Sequence, residues 1–165
     1  MHGKTRRGKL STYGELLIEK QRLRAHYALS EKQLRIAYSK AKSGAGSTPQ
    51  KFMEMLELRL ASVVFRGGLA PTIFAAKQAV THGHVQVDGN YVDRNGYLVK
   101  PGQVVSIDAQ KSPSVATISQ NTDVTPPPYL DADSQNCRVT LTRLPEPEEI
   151  PSGVEVIRVV EFYAR

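Results

Sequence analysis

The sequence predicts an α+β fold, with helices first and a small antiparallel sheet after them. Apolar residues recur every three or four positions as far as about residue 82, then alternate singly from His84, and an Asp88-Gly89 pair sits inside the alternating stretch. The first pattern has the period of a helix and the second that of a strand, while Asp-Gly is a strong hairpin signal. With 165 residues, the chain is long enough for one domain or two small ones.

Leu16, Leu17, Lys20, Leu23 and Tyr27 share one helical face, so a first helix is expected over residues 12 to 28, opened by a capping box of Thr12 and Glu15. Ser30 with Gln33 makes a second capping box ahead of Leu34, Ile36, Ala37 and Ala41, which predicts an αα-hairpin. The run KSGAGST then breaks the chain, after which Thr48 can cap and Pro49 can open a third helix reaching Arg66, with Phe52, Met55, Leu56, Leu60, Val63 and Val64 inward. Gly67 and Gly68 stop it, and Thr72 caps a fourth helix that ends at Gly83. His84–Val87, Tyr91-Val92 and Val104–Ile107 read as strands. Residues 110 to 128 are rich in Ser, Thr, Pro and Asn, which reads as a loop or linker with a short weak helix near Val115. Two later strands are expected, at residues 138 to 144 and 154 to 162, either side of the acidic, Pro-rich run 145 to 151.

Composition narrows the class. Hydrophobic residues make up 40% of the chain, which is ordinary for a globular protein. No stretch reaches the roughly 20 apolar residues needed to span a bilayer, and charged groups interrupt the first 30 residues where a signal peptide needs an apolar core. Cys137 is the only cysteine, so no internal disulfide or CxxC zinc pair can form. The net charge of +6 is unevenly spread: residues 1–50 carry 11 Lys and Arg against Glu15, Glu19 and Glu31, whereas residues 113–165 carry four basic side chains against eight acidic ones. A basic head attracts polyanions, and an acidic tail is repelled by the same partner. Nucleic acid is the partner class this implies.

No catalytic constellation accompanies that charge. P-loop, GxGxxG, HExxH and GxSxG patterns are all absent. His82 and His84 lack a third ligand in sequence, Cys137 reads as an inert thiol, and Glu146, Glu148 and Glu149 read as a solvated loop or a protein contact. The cations carry more. Lys4, Arg6, Arg7 and Lys9 fall within six residues, and Lys20, Arg22 and Arg24 follow on the first helix. Such a cluster is costly in self-repulsion unless a polyanion covers it. Arg59 and Arg66, seven apart on the expected third helix, would share a face with Lys77 across the Gly67-Gly68 turn, unless they form ion pairs with Glu57 or an Asp.

The run LELRLASVVFRGGLAPTIFAAKQAVTHGHVQVDG, residues 56 to 89, closely resembles the RNA-binding module of small-subunit ribosomal protein four. The module also occurs in tyrosyl-tRNA synthetases, pseudouridine synthases and a heat-shock RNA-binding protein. The flanks resemble only the ribosomal family: HGKTRRGKLSTYGELLIEKQRLRAHYALSEKQLRIAYSKA upstream, and YLVKPGQVVSI and VEVIRVVEFYAR downstream. About residues 112 to 125 lack a match. The resemblance implies a helical domain, residues 1–50 completed by 145–165, with the RNA-binding module inserted as residues 51–144. It implies an RNA grip by Arg59, Arg66, Lys77, His82 and His84 in the module and by Lys4, Arg6, Arg7, Lys9, Lys20, Arg22 and Arg24 before it, with Arg94 and Lys100 completing the candidate set.

By the same resemblance the partners are the five-prime domain of small-subunit ribosomal RNA, ribosomal protein five by direct contact, and messenger RNA at its entry path. The family role is early assembly of the subunit body and, with proteins five and twelve, decoding accuracy, without catalysis, cofactor or metal, on a bacterial or organellar ribosome. Departures stand at Ala61-Ser62 in place of Asp-Asn, at Pro71 in place of Ser, at Lys77 in place of Arg and at Asn90 in place of a basic residue. Lys77 offers a point charge where Arg offers a planar fork. Family members also carry some forty residues ahead of the His-Gly pair that here follows Met1, so a shortened member or a fragment is expected. The competing reading is a free-standing RNA chaperone or stress factor built on the same module. On the two-turn geometry, replacing Arg59 and Arg66 together is expected to weaken RNA binding and leave the fold intact.

Overall fold

The computed structural model describes residues 11–165, so Lys4, Arg6, Arg7 and Lys9 lie outside the described residues. The fold is α+β, with helices and a five-stranded antiparallel sheet, and the chain divides into two compact units. One comprises residues 1–52 and 152–165, the other 53–151. Residues 145–151, expected with the helical part, belong to the second.

In the first unit α1 (Thr12–His26) is capped by Ser11, whose hydroxyl accepts from the Gly14 N–H at 3.0 Å. The cap is one residue earlier than Thr12, since a hydroxyl must stand just outside the helix to reach its first free amides. The second capping box holds: Gln33 N–H donates to Ser30 Oγ and Ser30 N–H to Gln33 Oε1, both at 3.1 Å, opening α2 (Glu31–Ser43). Leu34, Tyr38 and Ala41 form its buried stripe, and Ile36 faces solvent instead. After the glycine-containing break, α3 (Thr48–Glu57) begins.

The carboxyl-terminal segment is a helix, α7 (Val156–Ala164), where a strand is expected. Its β-branched residues favour a strand by propensity, yet Val156, Val159, Val160 and Tyr163 also fall three or four apart. Packing selects that second period. Val159 is fully buried, Tyr163 stacks on Tyr38 at 4.9 Å, and Phe162 meets Tyr13 at 5.6 Å. Polar contacts fix its amino-terminal end: the Glu155 N–H donates to Glu19 Oε2 at 3.0 Å, and Arg158 reaches Glu15 at 3.2 Å.

In the second unit α4 (Leu60–Arg66) is separated from α3 by an extended Arg59, with φ −61° and ψ 142°. The single helix expected from 49 to 66 is therefore two. The chain leaves helical geometry there to pair with residues 97–99, Leu60 N–H donating to the Tyr97 carbonyl at 2.7 Å and Val99 N–H to the Leu58 carbonyl at 2.8 Å. Gly67 ends α4 where the backbone passes so near Val139 that a Cβ would sit 2.7 Å from its side chain. Thr72 caps α5 (Ile73–Thr81) through a 3.0 Å bond from Ala75 N–H.

The sheet runs in the order β2 (Asn90–Tyr91), β1 (Val85–Val87), β3 (Val104–Ile107), β5 (Arg138–Leu141), β4 (Leu130–Asp133). Asp88 and Gly89, both at positive φ (50° and 83°), make the tight β1–β2 turn. β4 escapes sequence reading because LDAD holds no β-branched or aromatic residue; its pairing with β5 across the 134–137 turn makes it a strand. The strand expected over residues 138 to 144 shortens to Arg138–Leu141. α6 (Pro113–Gln120) forms inside the segment expected to be mainly loop, with Pro113 in its first turn and Ala116 and Ser119 buried. One face of the sheet, with Val85, Val87, Val105, Ile107, Val139 and Leu141, packs with α4 and α5 into one apolar core.

Candidate nucleic-acid interface

The basic residues separate into those spent inside the protein and those left outside. Lys20 and Arg66 fall in the first group. Lys20 Nζ is 2.7 Å from Glu31 Oε2, is 6% exposed, and lies 5.1 Å from the Phe162 ring centroid. Burial works against the Glu31 charge, but hydrogen bonds from Lys20 and from Tyr163, whose hydroxyl donates at 3.0 Å, hold the carboxyl below its ordinary value.

Arg66 is 7% exposed and donates to Glu57 from Nε at 2.7 Å and from Nη2 at 3.4 Å. Tyr129 donates its hydroxyl to the same carboxylate, and burial with the Glu57 charge pushes the phenol far above its ordinary value. A buried carboxylate needs partners of this kind, since an unpaired ion in the interior is strongly unfavourable. Both residues are thus corrected from surface cations to internal ones. With the helix broken at Arg59, the shared face for Arg59 and Arg66 disappears, and so does the expectation that replacing both leaves the fold intact.

Arg59 takes a different course. Being extended at the helix break, it turns toward the 93–99 loop, where its Nη1 stands 3.2 Å from the position a Cβ on Gly96 would occupy. Burial there lowers its pKa. Two residues away in the loop, Arg94 is exposed, with its guanidinium 5.9 Å from the Tyr97 ring. Lys100 is exposed just beyond, its backbone N–H held by Gln103 Oε1 at 2.8 Å. The β-bridge that breaks the helix therefore brings Arg59 to the loop that carries Arg94.

On α5, Lys77 is half-buried on a helix that holds no acidic side chain. His82 is the exposed C-cap, and the turn at Gly83 leads to His84, whose Nδ1 lies 2.7 Å from Ser112 Oγ. The two imidazoles are 6.3 Å apart. Among the described residues no three His, Cys, Asp or Glu side chains converge as metal ligands would. In the first unit, Arg22 is exposed with a 3.1 Å contact to Glu19, and Arg24 is half-buried in the last turn of α1.

Sequence reading passed over one surface. Lys32, Arg35, Ser39 and Lys40 stand at spacings of three, four and one along α2, on one side of the helix, and all are exposed. The helical spacing was a usable signal; what hid it was the assignment of Ile36, on this same side, to the core.

Known proteins share this organisation. Residues 1–57 match the family described as ribosomal protein S4/S9 N-terminal domain, and residues 58–105 match the S4 domain. The small ribosomal subunit protein uS4 of Bifidobacterium animalis subsp. lactis is 49% identical over 170 residues, an alignment covering 99% of this chain and 82% of that protein. The uS4 proteins of Leifsonia xyli subsp. xyli and of a Geobacillus strain are each 43% identical, again over 99% of this chain and 82% of theirs. Both parts of the chain match in their proper order, and the identity extends through the segments on either side of the sheet. The chain therefore belongs to the family of small ribosomal subunit protein uS4.

Proposed function

We propose that this chain is a structural, non-catalytic constituent of a bacterial small ribosomal subunit that binds the five-prime domain of its ribosomal RNA and helps nucleate folding of the subunit body. The observation that carries this reading is near end-to-end identity of 43 to 49% with proteins named for that subunit. The charge arrangement supports it. Buried cations are matched to carboxylates, whereas Arg22, Arg94, Lys100 and the α2 row are exposed on the surfaces of their own units.

The RNA surface of the module consists of Arg59, Arg94, Lys100, Lys77, His82 and His84, and that of the helical unit of Arg22, Arg24, Lys32, Arg35 and Lys40, with Lys4, Arg6, Arg7 and Lys9 adding to it. Such a set reads phosphates and the shape of an RNA junction more than base sequence. The acidic last third leaves Asp131, Asp133, Glu146 and Glu148 exposed, suited to a basic neighbour such as ribosomal protein five. A contribution to decoding accuracy and a place beside the messenger path would follow from that neighbourhood.

The test is binding of the chain to five-prime-domain RNA across a salt series, against an unrelated structured RNA of equal length. A preference for the ribosomal RNA that persists as salt rises is the expected result. Equal binding that collapses for both RNAs together would overturn it in favour of a general RNA chaperone.

A further inference from the structure

The surface beside α5 holds a feature that phosphate binding does not use. Between α5 and α6 lies a cleft of about 220 Å³. Ala75 and Ala79 form its α5 wall, Val115 and Ile118 its α6 wall, and Leu69 also lines it. Gln78, His82 and His84 supply its polar groups, and no charged side chain lines it. Its neighbours are unusually apolar for an exposed place: Phe74, one helical turn before Gln78, is 69% exposed, and Ile118 is 53% exposed. Substantial apolar exposure in one region marks an interaction site more often than chance does.

We propose that this cleft receives a single unpaired nucleobase of the bound RNA, with Phe74 as a stacking surface at its lip; the inference rests on the RNA-binding reading above. Four observations select this occupant. The volume is below the roughly 300 Å³ at which drug-sized ligand pockets begin, so the cleft takes one ring system and excludes a peptide helix or a base pair. Its walls are apolar, which suits the face of a base, and the absence of charge makes it a poor seat for a phosphate or an ionic side chain.

The polar groups suit a base edge. The Gln78 carboxamide carries two donor hydrogens and an acceptor oxygen, a set that can pair with an edge of an extruded base. His84 Nδ1 is engaged with Ser112 at 2.7 Å, which fixes the ring and leaves Nε2 as its second polar atom. Finally, the cleft is continuous with the proposed RNA surface, because His82 and His84 line it, and α5 carries no carboxylate to repel a backbone.

Two RNA hairpins test this, identical except that one carries a single bulged 2-aminopurine and the other is fully paired. The full chain is expected to bind the bulged hairpin more tightly and to change the fluorescence of its 2-aminopurine. Phe74→Ala, on an exposed side chain, removes the stacking surface, and Ala75→Phe fills the cleft. Each should reduce the preference for the bulged hairpin at least about fivefold, the low end of what one stacked base contributes, with affinity for the paired hairpin unchanged. Equal affinity of the wild-type chain for both hairpins, or a preference that survives both substitutions, would overturn the inference while leaving ribosomal RNA binding intact. A Phe74→Ala effect on sedimentation of the free chain without any on RNA binding would overturn it too, assigning the patch to protein contact. Failure of the wild-type chain to bind ribosomal RNA at all would remove the reading on which the inference rests.

Discussion

Arg59 and Arg66 show how far the role of a charge depends on its surroundings. Both are arginines near one short helix; one is half-buried against the 93–99 loop and the other is enclosed with Glu57 and Tyr129. Removing one partner from a buried pair strands the other, at a cost of about 3 to 5 kcal/mol. Arg66→Ala should therefore lower the unfolding free energy by that amount in urea titrations, whereas Arg59→Ala should leave it far less changed and weaken RNA binding instead. Glu149 supplies a pH marker. Arg143, 2.6 Å away, and the Glu146 N–H hold its carboxyl down to about 2 from an ordinary 4.5. A carboxyl depressed on folding adds stability that is present above its unfolded value and is lost as pH falls toward its folded value. Glu149→Gln should accordingly flatten the acid limb of stability between pH 4.5 and about 2, read from urea midpoints at stepped pH.

At the scale of elements, close contacts decide what local pattern leaves open. Capping at Ser30 and Thr72, the apolar stripes of α1 and α5, and the Asp88-Gly89 hairpin were all legible, because each depends on residues within a few positions of one another. The break at Arg59 was not, because its partners are residues 97–99, distant in sequence, and strand β4 was not, because LDAD offers no β-branched or aromatic residue to mark it. The α4–β5 contact is a direct test of such packing. Gly67 has a φ of −79° that alanine tolerates, so only the 2.7 Å approach to Val139 opposes a methyl group there. Gly67→Ala should cost about 1 to 3 kcal/mol through overpacking, seen as a lower Tm, and Val139→Ala in the same chain should recover part of the loss attributable to the clash.

For the whole molecule the governing quantity is charge. A net +6 with a strongly basic first third yields an affinity set largely by counterion release, in which each phosphate neutralised adds roughly 0.7 to 0.9 to the salt slope. Replacing Lys32, Arg35 and Lys40 together with Gln should reduce the magnitude of that slope by about 2 to 3 and leave helicity unchanged. An unaltered slope would remove the α2 row from the RNA surface. The candidate site was only partly visible beforehand. Arg94, Lys100 and His82 are exposed, as RNA contacts require, whereas Lys20 and Arg66 are enclosed by carboxylates 11 and 9 residues away.

By itself the sequence determined the α+β class, the order of its main helices and hairpin, the polarity of its charge and the family to which it belongs. Those properties depend on composition, short-range periodicity and a continuous run of matching residues, all of which survive without coordinates. Only the tertiary structure decided that residues 156–164 are helical, that the third helix breaks at Arg59, and which cations are enclosed. Each of those outcomes rests on a group brought from far along the chain: Tyr38 and Glu31 for the last helix, Tyr97 and Val99 for the break, Tyr129 for the Glu57 to Arg66 pair. Propensity favoured a strand at the end of the chain and helical spacing an outward Arg66; burial of apolar surface and the need to pair every enclosed charge outweighed both.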